Sequence, residues 1–248
     1  MARRWLVLLA ATALPSAAAA EGEWDYTATF YGWFPGVSTR VETPVGAVES
    51  EVGFEDILES LDIAFFGAFE ARNGKWSLSA DLQYIDVGKT AEAPTGVLFS
   101  DAEIDSKLVV LGAYATYAVV DRPDLRFDLG AGLRHTHATI ETRLVGQGAT
   151  ADRSFSNDAS WVDGVIAARM NLRLDDRWRA IAFADVGGFG IGESSDLTWQ
   201  VAAGVGYRLS EKWSAIGGYR HLTIERSFHG SDISVDVSGP FLGFQASF

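Results

Sequence analysis

The chain has no cysteine and only 6 prolines in 248 residues. The first absence excludes disulfides, thiolate nucleophiles and cysteine-ligated zinc. Positive charge is also scarce: 20 Lys and Arg against 33 Asp and Glu leave a net −13, the wrong sign for a nucleic-acid partner. Beyond the N-terminus there is no long hydrophobic run. The longest candidate, Val109 to Val120, is interrupted by Gly112, Tyr114 and Thr116, which excludes a helical membrane protein. Apolar and aromatic residues are plentiful, at 48% and 12%, which excludes a disordered chain.

Residues 1–20 read as a secretory signal. Arg3 and Arg4 supply the basic region, Trp5 to Leu14 an apolar stretch too short to span a membrane, and Ala18-Ala19-Ala20 a small-residue cleavage site. Cleavage after Ala20 leaves residues 21–248 as one domain.

The mature chain alternates with a period of two. In Leu197 to Leu209 the odd positions are Leu, Trp, Val, Ala, Val, Tyr and Leu, and the even ones are polar or small. Trp76–Tyr84, Leu125–Arg134, Val162–Arg173 and Trp213–Arg220 repeat the pattern, although Ile216 breaks it. Trp178–Val186 alternates least well, because Ile181 and Phe183 share a face with Arg179 and Asp185. These are strands with one greasy side.

Tight polar turns at 72–75, 121–124, 174–177 and 209–212 are each followed at once by a basic–aromatic pair: Lys75-Trp76, Arg126-Phe127, Arg177-Trp178 and Lys212-Trp213. With Trp24 at the start of the first strand, these rings form the expected interfacial girdle of a transmembrane barrel. Longer polar connections at 35–60, 88–104, 143–158, 190–196 and 226–231 alternate with the short turns. Strands over 23–34, 61–72, 75–88, 104–120, 124–142, 158–174, 177–189, 197–209, 212–225 and 232–248 make a closed, all-β, antiparallel barrel of ten strands, with eight or twelve as alternatives. In lipid every backbone group must be paired, so closure is required. Within the first long loop, Thr39–Gly53 reads as a hairpin around Pro44-Val45-Gly46, which would raise the count to twelve if it entered the membrane. Phe54, Ile57, Leu58 and Leu61 have the spacing of a short amphipathic helix, on the outer rim or folded into the barrel mouth.

At the C-terminus Pro240, Leu242, Phe244, Ala246 and Phe248 share one face. Gly239-Pro240 suggests a bulge that would turn Asp236 inward and Val235 and Val237 outward. A terminal Phe248 on an amphipathic last strand, with Leu242 and Phe244, resembles the assembly signal of Gram-negative outer-membrane barrels. The mature chain as a whole is similar to small barrels of the opacity/OmpA/OmpW type. That resemblance implies an outer-membrane location among lipid and lipopolysaccharide, periplasmic chaperoning and insertion by the barrel-assembly machinery. It implies no activity.

The weak candidates for catalysis are His135 and His137, two apart and therefore on one face, with Thr139 and Glu141 following. A lipid A- or peptide-modifying enzyme acting through them is the alternative to a non-enzymatic barrel with a structural or surface-interaction role or a narrow conductance. No third metal ligand is identifiable and no cofactor is expected. The lumen face carries Glu70, Asp81, Asp128, Asp163 and Asp185 against Arg126, Arg134, Arg169, Arg208 and Arg220. That balance suggests a structural charge network rather than a selective pore. Inward Gly130, Gly132, Gly204 and Gly206 would leave room for the arginines. The loops hold the acidic excess, six acids against Arg40 in the first.

Overall fold

The computed structural model describes residues 24–43, 46–53, 55–56, 61–92, 99–146, 150–228 and 231–248. The secretory signal expected over residues 1–20 lies outside them. The strands are β1 (Asp25–Trp33), β2 (Gly36–Thr43), β3 (Gly46–Val52), β4 (Leu61–Asn73), β5 (Trp76–Glu92) and β6 (Phe99–Asp121). They continue with β7 (Leu125–Gly146), β8 (Arg153–Arg173), β9 (Trp178–Gly188), β10 (Leu197–Arg208), β11 (Trp213–Phe228) and β12 (Ser231–Ser247).

Each strand from β4 to β12 pairs antiparallel with the next, and β1 pairs with both β4 and β12. The result is a closed ring of ten strands, β1 and β4–β12. The Thr39–Gly53 hairpin exists, as β2 and β3, yet adds nothing to the ring. It pairs onto Asp232–Ser238 of β12, beyond the stretch Phe241–Ser247 that closes against β1. One wall of the barrel is thereby extended outward. Of the proposed helix, Phe54, Ile57 and Leu58 lie outside the described residues, and Leu61 instead opens β4.

The long connections are also shorter than the sequence suggests. β6, β7 and β8 run for 23, 22 and 21 residues, where ~9–11 suffice to cross a bilayer. At the other end the chain turns sharply. Gly74 takes a positive φ of 53°, and Asp175 accepts the backbone N–H groups of Arg177 and Trp178, both at 2.7 Å. Those two hydrogen bonds hold the Asp175 carboxyl below the usual carboxylate range.

The distribution of side chains is inside out for a water-soluble protein. Phe30, Phe65, Phe69, Leu133, Ile166, Val205, Leu242 and Phe244 are exposed on the outer face, while Arg134, Asp163, Asp185 and Gln200 are buried. Ile181, Phe183 and Ile216, which blurred the alternation, face the lumen with the charged residues.

Gly239-Pro240 makes no bulge. The β11–β12 register runs unbroken from Phe228↔Ser231 to Trp213↔Ala246. Pro240 falls where the neighbour of β12 changes from β1 to β2, and its carbonyl accepts the Phe34 N–H at 3.0 Å. With the alternation intact, Val237 stays inside at 5% exposure, and Asp236 is outside with Thr223, whose hydroxyl donates to it at 2.6 Å.

Candidate functional site: the barrel lumen

Side chains from seven strands meet in one hydrogen-bonded layer across the lumen. Arg134 of β7 donates to Asp185 of β9 at 2.5 Å and to Thr198 of β10 at 2.7 Å. Asp185 also accepts from Gln200 at 2.5 Å and from the Tyr114 hydroxyl of β6 at 3.0 Å. The Gln200 carbonyl takes the Arg220 Nε of β11 at 3.0 Å. Arg220 then donates to Asp81 of β5 at 3.0 Å and to Tyr31 of β1 at 2.8 Å. Tyr31 closes the circuit by donating to Asp81 at 2.7 Å.

Arg134 is 1% exposed and its Asp185 partner 5%. Ions so enclosed cost several kcal/mol each unless paired and hydrogen-bonded, and here the two pair with each other while Asp185 takes two further hydrogen bonds on its second oxygen. Against the layer packs an apolar cluster of Trp33, Phe66, Leu222 and Val237. The Arg220 guanidinium stacks over the Trp33 ring, 5.2 Å from its centroid.

Asp163 faces Arg134 across the β7–β8 ladder but forms no ion pair with it. Fully buried, it accepts the Ser195 N–H at 2.7 Å, the Ser195 hydroxyl at 3.0 Å and the Trp161 indole N–H at 3.1 Å. These bonds pin the 189–196 connection into the outer mouth. The connection bends through positive φ at Gly188, Phe189, Gly190 and Gly192. Phe189 is the one non-glycine among the described residues to do so, at 60°.

Toward the short turns the lumen is looser. Glu70 receives both Arg72 at 2.7 Å and Arg169 at 2.6 Å. Arg126 pairs with Asp128 at 2.9 Å and caps the 73–76 turn through the carbonyls of Gly74 and Lys75. Arg179 donates to Gln245, and Arg208 lies beside it at the end of the barrel. Among these residues is a cavity of about 230 Å³, walled by Ile181, Phe183, Ile216 and Phe241 as well as by Glu70 and Arg169.

The lumen holds nine of the ten charged residues singled out from the sequence, in contacts that the sequence did not specify, and Arg208 lies exposed at the barrel end. Arg72, Arg179, Tyr31, Tyr114 and Gln200 were missed. Arg72 lies two positions from Glu70 and Arg179 six from Asp185, so strand parity alone would have placed both inside. One of the inward glycines makes room for an arginine and another for a tyrosine. A Cβ at Gly206 would meet Arg179, and one at Gly132 would meet the Tyr114 ring.

Outside, the girdle candidates Trp24, Trp76, Trp178 and Trp213 are all exposed near the short-turn end, and Phe127 is half-buried. Trp76 stacks edge-on with Tyr117 and Trp178 contacts Tyr207. Leu242 and Phe244 share this outer face, and Phe248 bonds through its backbone to Tyr26, completing the β1–β12 seam.

His135 and His137 also point outward, on the face opposite Arg134 and Thr136. His135 Nε2 lies 3.0 Å from Ser160 Oγ, and His137 reaches Thr139 at 3.3 Å, whose hydroxyl donates to Asp158. No described histidine faces the lumen network, and no group of three metal-binding side chains occurs among the described residues.

No family model and no curated protein sequence matches this chain. Its fold does match solved structures. The outer membrane protease OmpT from Escherichia coli superposes with a TM-score of 0.65 at 10% identity, over 94% of this chain and 99% of that one. The translocator domain of autotransporter NalP from Neisseria meningitidis gives 0.52 at 14% identity, over 92% and 90%. The chain therefore has the fold of an outer-membrane β-barrel protein.

Proposed function

We propose that this protein is an integral outer-membrane barrel whose lumen is closed to through-flow and whose work is done at its two ends. One observation carries the reading: the layer from Arg134 to Asp81 and Tyr31, backed by Trp33, Phe66, Leu222 and Val237, crosses the full bore. A ten-stranded barrel is little wider than the eight-stranded kind that side chains fill, so such a layer leaves no continuous water path.

The girdle sets the membrane boundary at the periplasmic end, where amphipathic rings match headgroups. Lipid and lipopolysaccharide are then the immediate neighbours, and the exposed Leu242, Phe244 and Phe248 face is the part offered to the barrel-assembly machinery. At the opposite end β2–β3 and the β7–β8 extension present an acidic surface, with Arg143 held between Asp152 at 2.7 Å and Glu103 at 3.3 Å. This supports a structural or surface-interaction role. The likeness to a protease supports no proteolysis here, because the described histidines lie on the outer wall.

The test is ion conductance of refolded protein in planar bilayers. Wild type should show little or no single-channel current. Steady conductance of open-porin size would overturn the closed-lumen reading.

A further inference from the structure

We propose that the inner cavity is a binding site for a short-chain anionic amphiphile, entered from the short-turn, periplasmic end. This rests on the closed-lumen reading in one respect: the Arg220–Asp81 layer is the roof that makes the cavity blind.

The cavity has two chemically distinct parts. Beneath the polar roof of Tyr31, Asp81, Gln200 and Arg220, one part of its wall is apolar, formed by Ile181, Phe183, Ile216 and Phe241. It extends down to Arg72 and Gln245, within two residues of the strand ends, where a second hollow of about 200 Å³ is lined by Arg173, Arg177, Arg179 and Arg208 against Asp175 and Asp176. This lower end is over-supplied with positive charge. Glu70 is already shared by Arg72 and Arg169, and Asp128 is taken by Arg126. Among the described residues no carboxylate lies within ion-pair distance of Arg179 or Arg208. The buried Nε atoms of Arg72 and Arg179 have no hydrogen-bond partner.

A chain with a net charge of −13 had acids to spare for these positions. Leaving buried guanidinium donors unmet costs free energy that an incoming anion would recover. Guanidinium forks match carboxylate and phosphate oxygens in pairs. The apolar wall above them suits an alkyl chain. At about 230 Å³ the cavity falls below the ~300–1,000 Å³ of drug-sized pockets, so the chain must be short.

The experiment is calorimetric titration of the full barrel in lipid nanodiscs, with empty nanodiscs subtracted to remove partitioning. The probes are octanoate, octyl phosphate and octylammonium. Saturable one-site binding of the anions, with none of the cation, is expected. Preference for octanoate would assign a fatty-acid-like carboxylate, and preference for octyl phosphate a phospholipid-derived headgroup. Arg179→Gln should weaken anion binding at least tenfold, and Ala202→Phe, which fills the cavity, should abolish it. Arg208→Gln, at an exposed position that folding does not need, should also weaken it severalfold. Heat-modifiable migration on gels reports that each variant has folded. Equal binding of octylammonium, unsaturable uptake, or wild-type affinity in the folded variants would overturn the site. Failure to bind in a barrel that conducts nothing condemns the site alone, whereas porin-like conductance condemns the roof.

Discussion

The two halves of the lumen are lined by the same ten strands and fill differently. Outward of the Arg220–Asp81 pair, large residues such as Trp33, Phe66 and Leu222 pack against a hydrogen-bonded layer. Inward of it, Thr27, Ser79, Ala68 and Ala202 are small, and the space they leave is the cavity. Alternation decides which side chains enter a barrel; their sizes decide whether the barrel is solid or hollow. The charges follow suit. In the outer half Arg134 and Asp185 pair within a hydrogen-bonded circuit and Asp163 is met by Ser195 and Trp161, while the inner half carries more arginine than its acids can satisfy.

Removing a member of the outer circuit should therefore do the most damage. Arg134→Ala leaves Asp185 buried without its cation and should lower unfolding free energy by ~3–5 kcal/mol, measured by urea titration in bilayers. The same change should raise conductance, since the plug loses its longest side chain. Next comes Leu222→Ala, 2% exposed in the apolar cluster, at a cost of ~2–5 kcal/mol. In the inner half Glu70→Gln breaks two ion pairs that water already reaches, and an effect of ~1 kcal/mol or less is expected. An equal loss for Glu70→Gln and Arg134→Ala would erase the distinction between the halves.

The girdle offers an effect of comparable size. Trp178→Ala removes a ring contact with Tyr207 and should cost at least the ~0.5–1.5 kcal/mol of such a pair, with slower insertion into vesicles. The smallest effect belongs to the exposed outer extension. Asp152, held below the usual carboxylate range by the Gly146 N–H and by Arg143, stabilises the outer end of β7 when ionised. A lowered folded value means the contribution is present at neutral pH and lost as pH falls through and below the usual carboxylate range. Hydrogen-exchange protection of the Gly146 amide, relative to its intrinsic rate at each pH, should fall there while the barrel stays folded.

Much of this was legible in the residues. Strict alternation in stretches such as Leu197–Leu209, with aromatics just past each short turn, was enough for ten strands, their order and their inward faces. What the sequence could not show is pairing at a distance. Arg134 and Asp185 are on β7 and β9, and the barrel's curvature brings them together across intervening β8. Arg220 and Asp81 come from opposite parts of the chain. Asp163 could be read as an ion-pair partner because nothing local announces that Ser195 folds in to meet it. Gly239-Pro240 misled for a different reason. Proline usually breaks a ladder, but at Pro240 the neighbouring strand is itself being exchanged, so the alternation survives and Val237 remains inside.

The absence of cysteine makes one measurement direct. Ser79→Cys places a thiol in the inner half and Val87→Cys one on the same face of β5 in the outer half, each the sole thiol in the chain. Membrane-impermeant thiol reagent would be added to one side at a time of oriented, refolded barrels. Ser79→Cys should react from the short-turn side alone and Val87→Cys from the opposite side alone, because the Arg134–Asp185–Gln200–Arg220–Asp81 layer separates them. Labelling of Ser79→Cys from the outer side, at a rate comparable to that from the inner, would show a continuous water path and contradict a closed lumen.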